Sequence, residues 1–518
     1  MAPHLETEVK LRTDPQGAAK LRRSRWWREL EPVSRQSLHS IYYDTDDRQL
    51  RDRNIRLRTR TDGSSIVQTL KLLNDPSDTI SRREWEMLLP DAVPNPSLII
   101  DSALPGDFRR LTSADLQPVF NVNVRRETRR LMSGRARIDV SLDRGVVTAG
   151  HASAPVHEIE LELVEGDIGA LFTQARSLGD IAQARLHSRT KADVGYALDR
   201  AGVRAWSRPY KLSLSPDLTA RASFGLVVLN SLSHLTMNDD CARLNLDVEG
   251  VHQCRVALRR LRSAFKIYRL LMRRQRLEAV EASVRWLGGI LGVARDLDVL
   301  ETEILAPAMA ALGESGQFGQ LLARLAEKKA AAYKEVREAL SSPRYAAFLI
   351  ELCALAHADD LASIGAAAAP LDQPVGELAS LALSRAHHKL LKRGRGFETL
   401  SRAKRHNVRI ALKRLRYTLD FFDHLFEEKG KKKFTKRLTR LQDDLGRMND
   451  VAVAQTLLAR LIGLTPHASE RAAGTESDGD AAFAAGAILG WHRRRAAEIE
   501  PRLIEDWRSF VQVKPFWR

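Results

Sequence analysis

The sequence predicts a multidomain protein, an N-terminal antiparallel β-barrel or tunnel (α+β) followed by an all-α domain of two pseudo-repeated helical bundles. Three observations carry this. Before residue 205 the chain is a succession of short alternating segments bounded by Gly, Pro, Asp or Asn. After Ser215 it turns to Ala, Leu, Arg, Lys and Glu with helical periodicity. Two motifs in that second part then recur at one shared offset of 154 residues, the mark of a duplicated unit.

Eight segments have strand length: LETEVKL, SIYYDT, NIRLRTRT, SIVQTLKLL, SRREWEML, FNVNVRRETRRLM, RARIDVSLDRGVV and HEIELELVEG. So many strands with few long helices between them favour an antiparallel sheet or closed barrel. A helix is expected over 167–180, where Ile168, Leu171 and Phe172 recur at helical spacing. The resulting organisation is a strand domain at 1–203, a linker at 204–216 and a helical domain at 217–512, with halves at about 217–365 and 376–512. Loops are expected at 362–376 and 469–480.

Composition bounds the chemistry. The 518 residues carry 82 Lys+Arg against 65 Asp+Glu, a net charge of +17, and such a field draws polyanions. Aromatic residues at 6% and the absence of a nucleic-acid motif weigh against nucleic acid as the main partner. Three cysteines without metal spacing point to a reducing compartment. The start, MAPHLETEVK, has no apolar signal core, and no run approaches the ~20 apolar residues of a membrane helix. The expectation is a cytoplasmic protein with no membrane partner.

Within LETEVKL side chains alternate between faces. Glu6, Glu8 and Lys10 share one face, and Leu5, Thr7, Val9 and Leu11 the other. The same split places Arg56 and Arg58, then Arg82, Glu84 and Glu86, then Glu158, Glu160 and Glu162 on charged faces opposite apolar ones. One such strand ordinarily turns its charges to water. Several together can instead line a barrel interior, where charges must pair or hold ions. Mixed carboxylates and cations suit phosphate with a divalent metal: Lys and Arg meet phosphate oxygens, and carboxylates hold the ion.

The first 200 residues resemble the CYTH, or triphosphate tunnel metalloenzyme, family. The resemblance rests on Glu6-x-Glu8-x-Lys10, Tyr42-Tyr43-Asp44-Thr45, Arg56-Leu57-Arg58, Thr69-Leu70-Lys71, Arg82-x-Glu84-x-Glu86, Asp143-Arg144-Gly145, Glu158-x-Glu160-x-Glu162 and Ser188-x-x-Lys191. It implies that Glu6, Glu8, Glu158, Glu160 and Glu162, with Asp143, hold Mg2+ or Mn2+. It implies that Lys10, Arg56, Arg58, Lys71, Arg82, Arg126 and Lys191 clamp phosphate, with Arg125 the alternative to Arg126. Glu84 and Glu86 would hold cations or orient water. The implied activity is hydrolysis of inorganic triphosphate, catalysed through Glu6, Glu8, Lys10, Glu84 and Glu86. Adenylyl cyclase, thiamine triphosphatase and a non-catalytic polyphosphate binder are the alternatives.

In the helical part His252, Arg255, Arg259 and Arg262 fall within one helical face, with Arg260 beside them. The second copy gives His406, Arg409, Lys413, Arg414 and Arg416. Residues 251–277 hold nine Lys/Arg and no acid, which calls for counter-ions. Leu291-Gly-x-x-Arg-Asp296 and Leu445-Gly-x-x-Asn-Asp450 complete the repeat. These motifs resemble the CHAD, or conserved-histidine α-helical, domain. That resemblance implies a basic cavity that binds inorganic polyphosphate through these ten residues, and association with polyphosphate granules.

Overall fold

The protein is described by a computed structural model. It describes residues 4–63, 65–72, 80–99, 101, 104, 108–199, 205–212, 214–269, 272, 274–313, 318–358, 369–463 and 476–517. Two compact units partition the chain without following its order. The first comprises 1–211 with the stretches 228–241 and 340–360; the second comprises 212–227, 242–339 and 361–518.

All eight sequence-predicted segments are strands: β1 (His4–Arg12), β2 (Glu31–Asp44), β3 (Ile55–Asp62), β4 (Ser65–Leu72), β5 (Ser81–Leu89), β6 (Gln117–Ser133), β7 (Ala136–Ala149) and β8 (Ala152–Glu165). The two-residue β9 (Arg185–Leu186) is additional and too short to show periodicity. The antiparallel order is β5-β4-β3-β2-β6-β7-β8-β1-β9. Strand β1 also bridges the sheet's ends, with His4–Thr7 on β5 and Glu8–Arg12 on β8. The β5 ladder is short, so the regular barrel expected from sequence is better described as a curled tunnel wall.

Alternation sets what each face does. Ile55, Leu57, Leu70 and Trp85 turn outward into a core with Ile99, Leu104 and Phe108, which leaves Arg56, Arg58 and Lys71 facing inward. On the other side of the tunnel, Val122, Val124, Val147 and Val156 join Phe120, Ala192 and Tyr196 in a second core. The helix Lys191–Asp199, not anticipated from sequence, therefore packs inside one end of the tunnel. Its N-terminus is fixed by a reciprocal box: Thr190 N–H donates to Asp193 at 2.9 Å, and Asp193 N–H donates to Thr190 Oγ1 at 3.1 Å. The helix expected over 167–180 is found at Gly169–Ala182.

Asp44 shows what the Tyr-Tyr-Asp-Thr motif does locally. Fully buried, its carboxylate accepts from the backbone N–H groups of Thr45, Leu50 and Arg51 and from the Tyr196 hydroxyl at 2.7 Å. It thereby ties β2 to the short helix Gln49–Asp52 and to the inner helix.

In the second unit the helix Val248–Tyr268 pairs with Arg274–Val299, and Arg402–Phe422 with Lys431–Leu461. The two first members also pack on each other. The expected loops need correction. Ala369–Asp372 is helical and the next helix starts at Val375, while the last long helix starts at Glu476. Their polar, small residues read as loop because helix propensity is a weak prior that packing overrides. Gln373 and Pro374 form the non-helical break between the first two of these helices, and 362–368 and 469–475 lie outside the described residues.

Gly195 of the inner helix leaves no room for a side chain, since a Cβ there would lie 2.2 Å from the Phe120 ring. Gly195→Ala is expected to destabilise the chain by about 1–3 kcal/mol through overpacking. Urea unfolding checks this; an unchanged midpoint would show that the helix is not seated inside the tunnel.

Candidate active site in the tunnel

The tunnel encloses a cavity of about 430 Å³. Its lining includes Glu6, Lys10, Arg56, Arg58, Lys71, Glu84, Glu86, Arg126, Asp143, Glu160, Glu162 and Lys191. Glu8 and Glu158 are buried behind this surface and join it through ion pairs. The side chain of Arg82 lies outside the described residues; its backbone pairs with Glu6.

The register explains the convergence. Lys10 stands opposite Glu160 and Glu8 opposite Glu162 across β1 and β8. Arg126 stands opposite Asp143, which in turn stands opposite Glu158. Arg56 is beside Lys71, and Lys71 beside Glu84. One side of the tunnel is therefore acidic, from β1 and β8, and another basic, from β3 and β4.

Glu160 is the hub of the acidic side. Lys10 reaches it at 2.8 Å, Lys191 at 2.8 Å and Arg126 at 2.5 Å. Arg126 also grips Asp143 bidentately at 2.7 and 2.6 Å. Lys191 touches Asp143 at 2.9 Å and is bonded to Glu158. Burial alone would raise the Glu160 carboxyl, but Arg126, Lys10 and Lys191 overcome it and hold it well below the usual range. Burial likewise opposes the Lys191 charge, and Asp143, Glu158 and Glu160 restore it, so its pKa is raised well above the usual lysine value.

The basic side is buttressed from below. Lys71 pairs with Glu6 at 2.5 Å and Glu84 at 3.1 Å, and Arg58 lies 3.9 Å from Glu84. Arg56 pairs with Asp193 at 3.3 Å and sits over the Tyr196 ring at 5.2 Å. Glu86 accepts from Arg60 at 3.1 Å and from Thr69 at 3.1 Å. Glu84 and Glu86 thus position cations. Sequence reasoning omitted Arg60, although it continues the period of Arg56 and Arg58. It also gave no site role to Tyr42, whose hydroxyl accepts from Arg58 at 3.4 Å. Arg125, the alternative to Arg126, is corrected: adjacent strand residues point to opposite faces, and Arg125 is exposed on the outside.

Donor chemistry fits a hard divalent cation. Asp143, Glu158 and Glu160 each offer an oxygen within 4.8 Å of the others, with the Lys191 ammonium among them. Glu162 lies near Glu6, which pairs with Lys71 at 2.5 Å, and Glu8, which pairs with Lys10 at 2.6 Å. Burial and the charges of Glu6 and Glu8 push the Glu162 carboxyl up to about 7.

The ten helical residues divide. His252 lies near Arg255, Arg259, Arg295 and Lys413, and burial followed by these charges lowers its pKa to about 4. Arg255 lies 3.4 Å from Asp296, while the side chain of Asp450 lies outside the described residues. Arg260 is buried and stacks over Phe421 at 5.0 Å. Arg262 and Arg414 group with Lys266. Arg416 pairs with Asp420 at 3.0 Å. His406 and Arg409 line a separate cavity of about 980 Å³.

A curled sheet with a charged interior and a duplicated helical unit defines a two-part protein with a tunnel-type site. Residues 4–196 match the CYTH domain and residues 227–459 the CHAD domain. The chain belongs to these families as a CYTH domain joined to a CHAD domain. An inorganic triphosphatase of Haemophilus influenzae is 29% identical over 196 residues, 37% of this chain and 54% of that protein. An uncharacterised protein of Mycobacterium tuberculosis is 28% identical over 300 residues, 54% of this chain and 56% of that one. The chain thus spans about half the length of the curated relatives it matches. The crystal structure of the CHAD domain from Ricinus communis shares 30% identity, covers 57% of this chain and 94% of that one, and has a TM-score of 0.48. No helix among the described residues is long and apolar enough to cross a membrane.

The Glu162 shift sets a pH dependence. Because its pKa rises from 4.5 to about 7 on folding, the folded chain keeps a proton that the unfolded chain releases. That stabilisation is full below 4.5 and lost as pH rises to about 7. His252, held down at about 4, titrates in the opposite sense over the same window, so the test is a difference: in EDTA the wild type should lose thermal stability relative to Glu162→Gln as pH rises from 4.5 to about 7. Identical slopes would contradict the placement of Glu162 beside Glu6 and Glu8.

Proposed function

We propose that the tunnel is a metal-dependent inorganic triphosphatase site. One observation carries this reading: an acidic and a basic side face each other across a single 430 Å³ cavity. A polyphosphate anion with its counter-cation requires both. The CYTH family match and the triphosphatase relative support the reaction class.

Glu6, Glu8, Glu158, Glu160 and Glu162, with Asp143, would hold Mg2+ or Mn2+. When bound, such an ion supplies charge neutralisation at phosphate oxygens and a more acidic water. Arg58, Lys71 and Arg126, with Arg56, Arg82 and Lys191, bind the phosphate chain, and Lys10 keeps Glu8 and Glu160 oriented. Glu84 and Glu86 fix Lys71, Arg58 and Arg60, so those cations need little reorganisation as charge spreads in phosphoryl transfer. No covalent nucleophile is required.

In the CHAD domain, the convergence of His252, Arg255, Arg259 and Lys413 supports binding of inorganic polyphosphate, with His406, Arg409, Arg262, Arg414 and Arg416 extending the charge track. Its affinity would fall as salt rises.

Glu6→Ala and Glu8→Ala are expected to lower metal-dependent phosphate release from triphosphate by more than the roughly 10–100-fold that loss of a residue merely supporting an ion ligand costs. Circular dichroism should show the fold retained. Near-normal turnover in both variants would remove Glu6 and Glu8 from the site. Lys71→Ala should lose activity too, with Lys71→Arg recovering part of it.

A further inference from the structure

The sheet's outer surface carries a second arrangement that the tunnel does not use. Register places Ser37 opposite Arg125, Arg125 opposite Arg144, and Arg144 opposite His157. One straight row thus crosses β2, β6, β7 and β8. Just one residue along, the inner face carries the compensated pair Arg126–Asp143, while the outer row sets guanidinium against guanidinium. Like charges directly opposite on a sheet are destabilising. Both arginines are exposed, and among the described residues no carboxylate pairs with either. His157 Nδ1, at the end of the row, is buried without a hydrogen-bond partner.

The surface around the row is recessed. A cavity of about 530 Å³ is lined by Ser37, His39, Asn123, Arg125, Arg144 and His157. Gly145 forms part of its floor, and a Cβ there would lie 1.9 Å from the Asn123 carbonyl oxygen. A second recess of about 360 Å³ adjoins it and shares Arg144. There Arg22, Arg35 and Arg129 crowd one carboxylate, Glu127, at 3.4, 3.4 and 3.3 Å. Three cations on one anion leave an excess of positive charge in a continuous groove. Trp27, the aromatic residue lining it, is 1% exposed and unavailable for stacking on bases, which disfavours single-stranded nucleic acid.

We propose that this outer groove, centred on Arg125 and Arg144 and running toward Arg22, Arg35 and Arg129, is a separate binding site for a linear inorganic polyphosphate. A phosphate bridging Arg125 and Arg144 removes their repulsion, Ser37 and Asn123 offer donors to its oxygens, and the chain continues past Arg144 into the second recess. The site needs neither the metal nor the tunnel cations, so it stands whether or not the tunnel hydrolyses triphosphate.

Residue-resolved arginine modification with a dicarbonyl reagent tests it, using the full chain in EDTA with long linear polyphosphate as the probe. Polyphosphate should slow modification of Arg125 and Arg144 about five-fold at low salt, and the protection should vanish near about 1 M salt, where screening acts within about 3 Å. The same protection is expected in Lys71→Ala, which separates this groove from the tunnel. Unchanged reactivity of both arginines would overturn the proposal. So would stronger protection by duplex DNA at equal phosphate concentration, which would assign the groove to nucleic acid. As a second measurement, Arg144→Gln should unfold at a higher temperature than wild type without polyphosphate and gain less from its addition.

Discussion

The buried carboxylate of Glu160 organises the first unit. Its three cationic partners come from three places in the chain: Lys10 on β1, Arg126 on β6 and Lys191 on the inner helix. Bringing so many charges out of water is costly, and only mutual pairing makes it tolerable. Removing the Glu160 carboxylate would leave its cations short of an anion, at a cost of about 3–5 kcal/mol for a broken buried pair. The network therefore fixes strand register and site geometry together: a slip of one residue would turn Glu160 outward and Leu161 into the tunnel.

This coupling explains why polar residues cluster where a core would otherwise be. The apolar faces of β3, β4 and β5 are spent on an outer core with Ile99 and Phe108, and the inner helix fills only one end of the tunnel with apolar contacts. The remaining interior is a charged cavity in which acids and bases already hold one another. On the proposed reading, a phosphate chain with its cation would enter by exchange, the anion taking Arg and Lys partners and the ion taking carboxylates. A preorganised site of this kind needs little further reorganisation when charge moves.

Much of this was legible in the sequence because period-two alternation is a strong local signal. Glu6, Glu8 and Lys10 could be placed on one face from seven residues, as could Arg56 and Arg58. The eight strands and the 154-residue repeat followed from pattern alone. What the sequence withheld depends on register between distant segments. That Arg126 faces Asp143 while Arg125 faces Arg144 needs the β6–β7 pairing. The role of Lys191 as a cation inside the acidic side needs the inner helix, whose nine residues carry little amphipathic signal. In the helical part, spacing put Arg260 among its basic neighbours, yet the structure buries it against Phe421.

The central claim is that two opposed charged sides make one site for an inorganic triphosphate with a divalent ion. Phosphate release from triphosphate, pyrophosphate, ATP and long-chain polyphosphate, each with Mg2+, Mn2+ and EDTA, tests it most directly. The account predicts selective turnover of inorganic triphosphate that EDTA abolishes. Turnover of ATP above triphosphate, or release from none of the four, would contradict it.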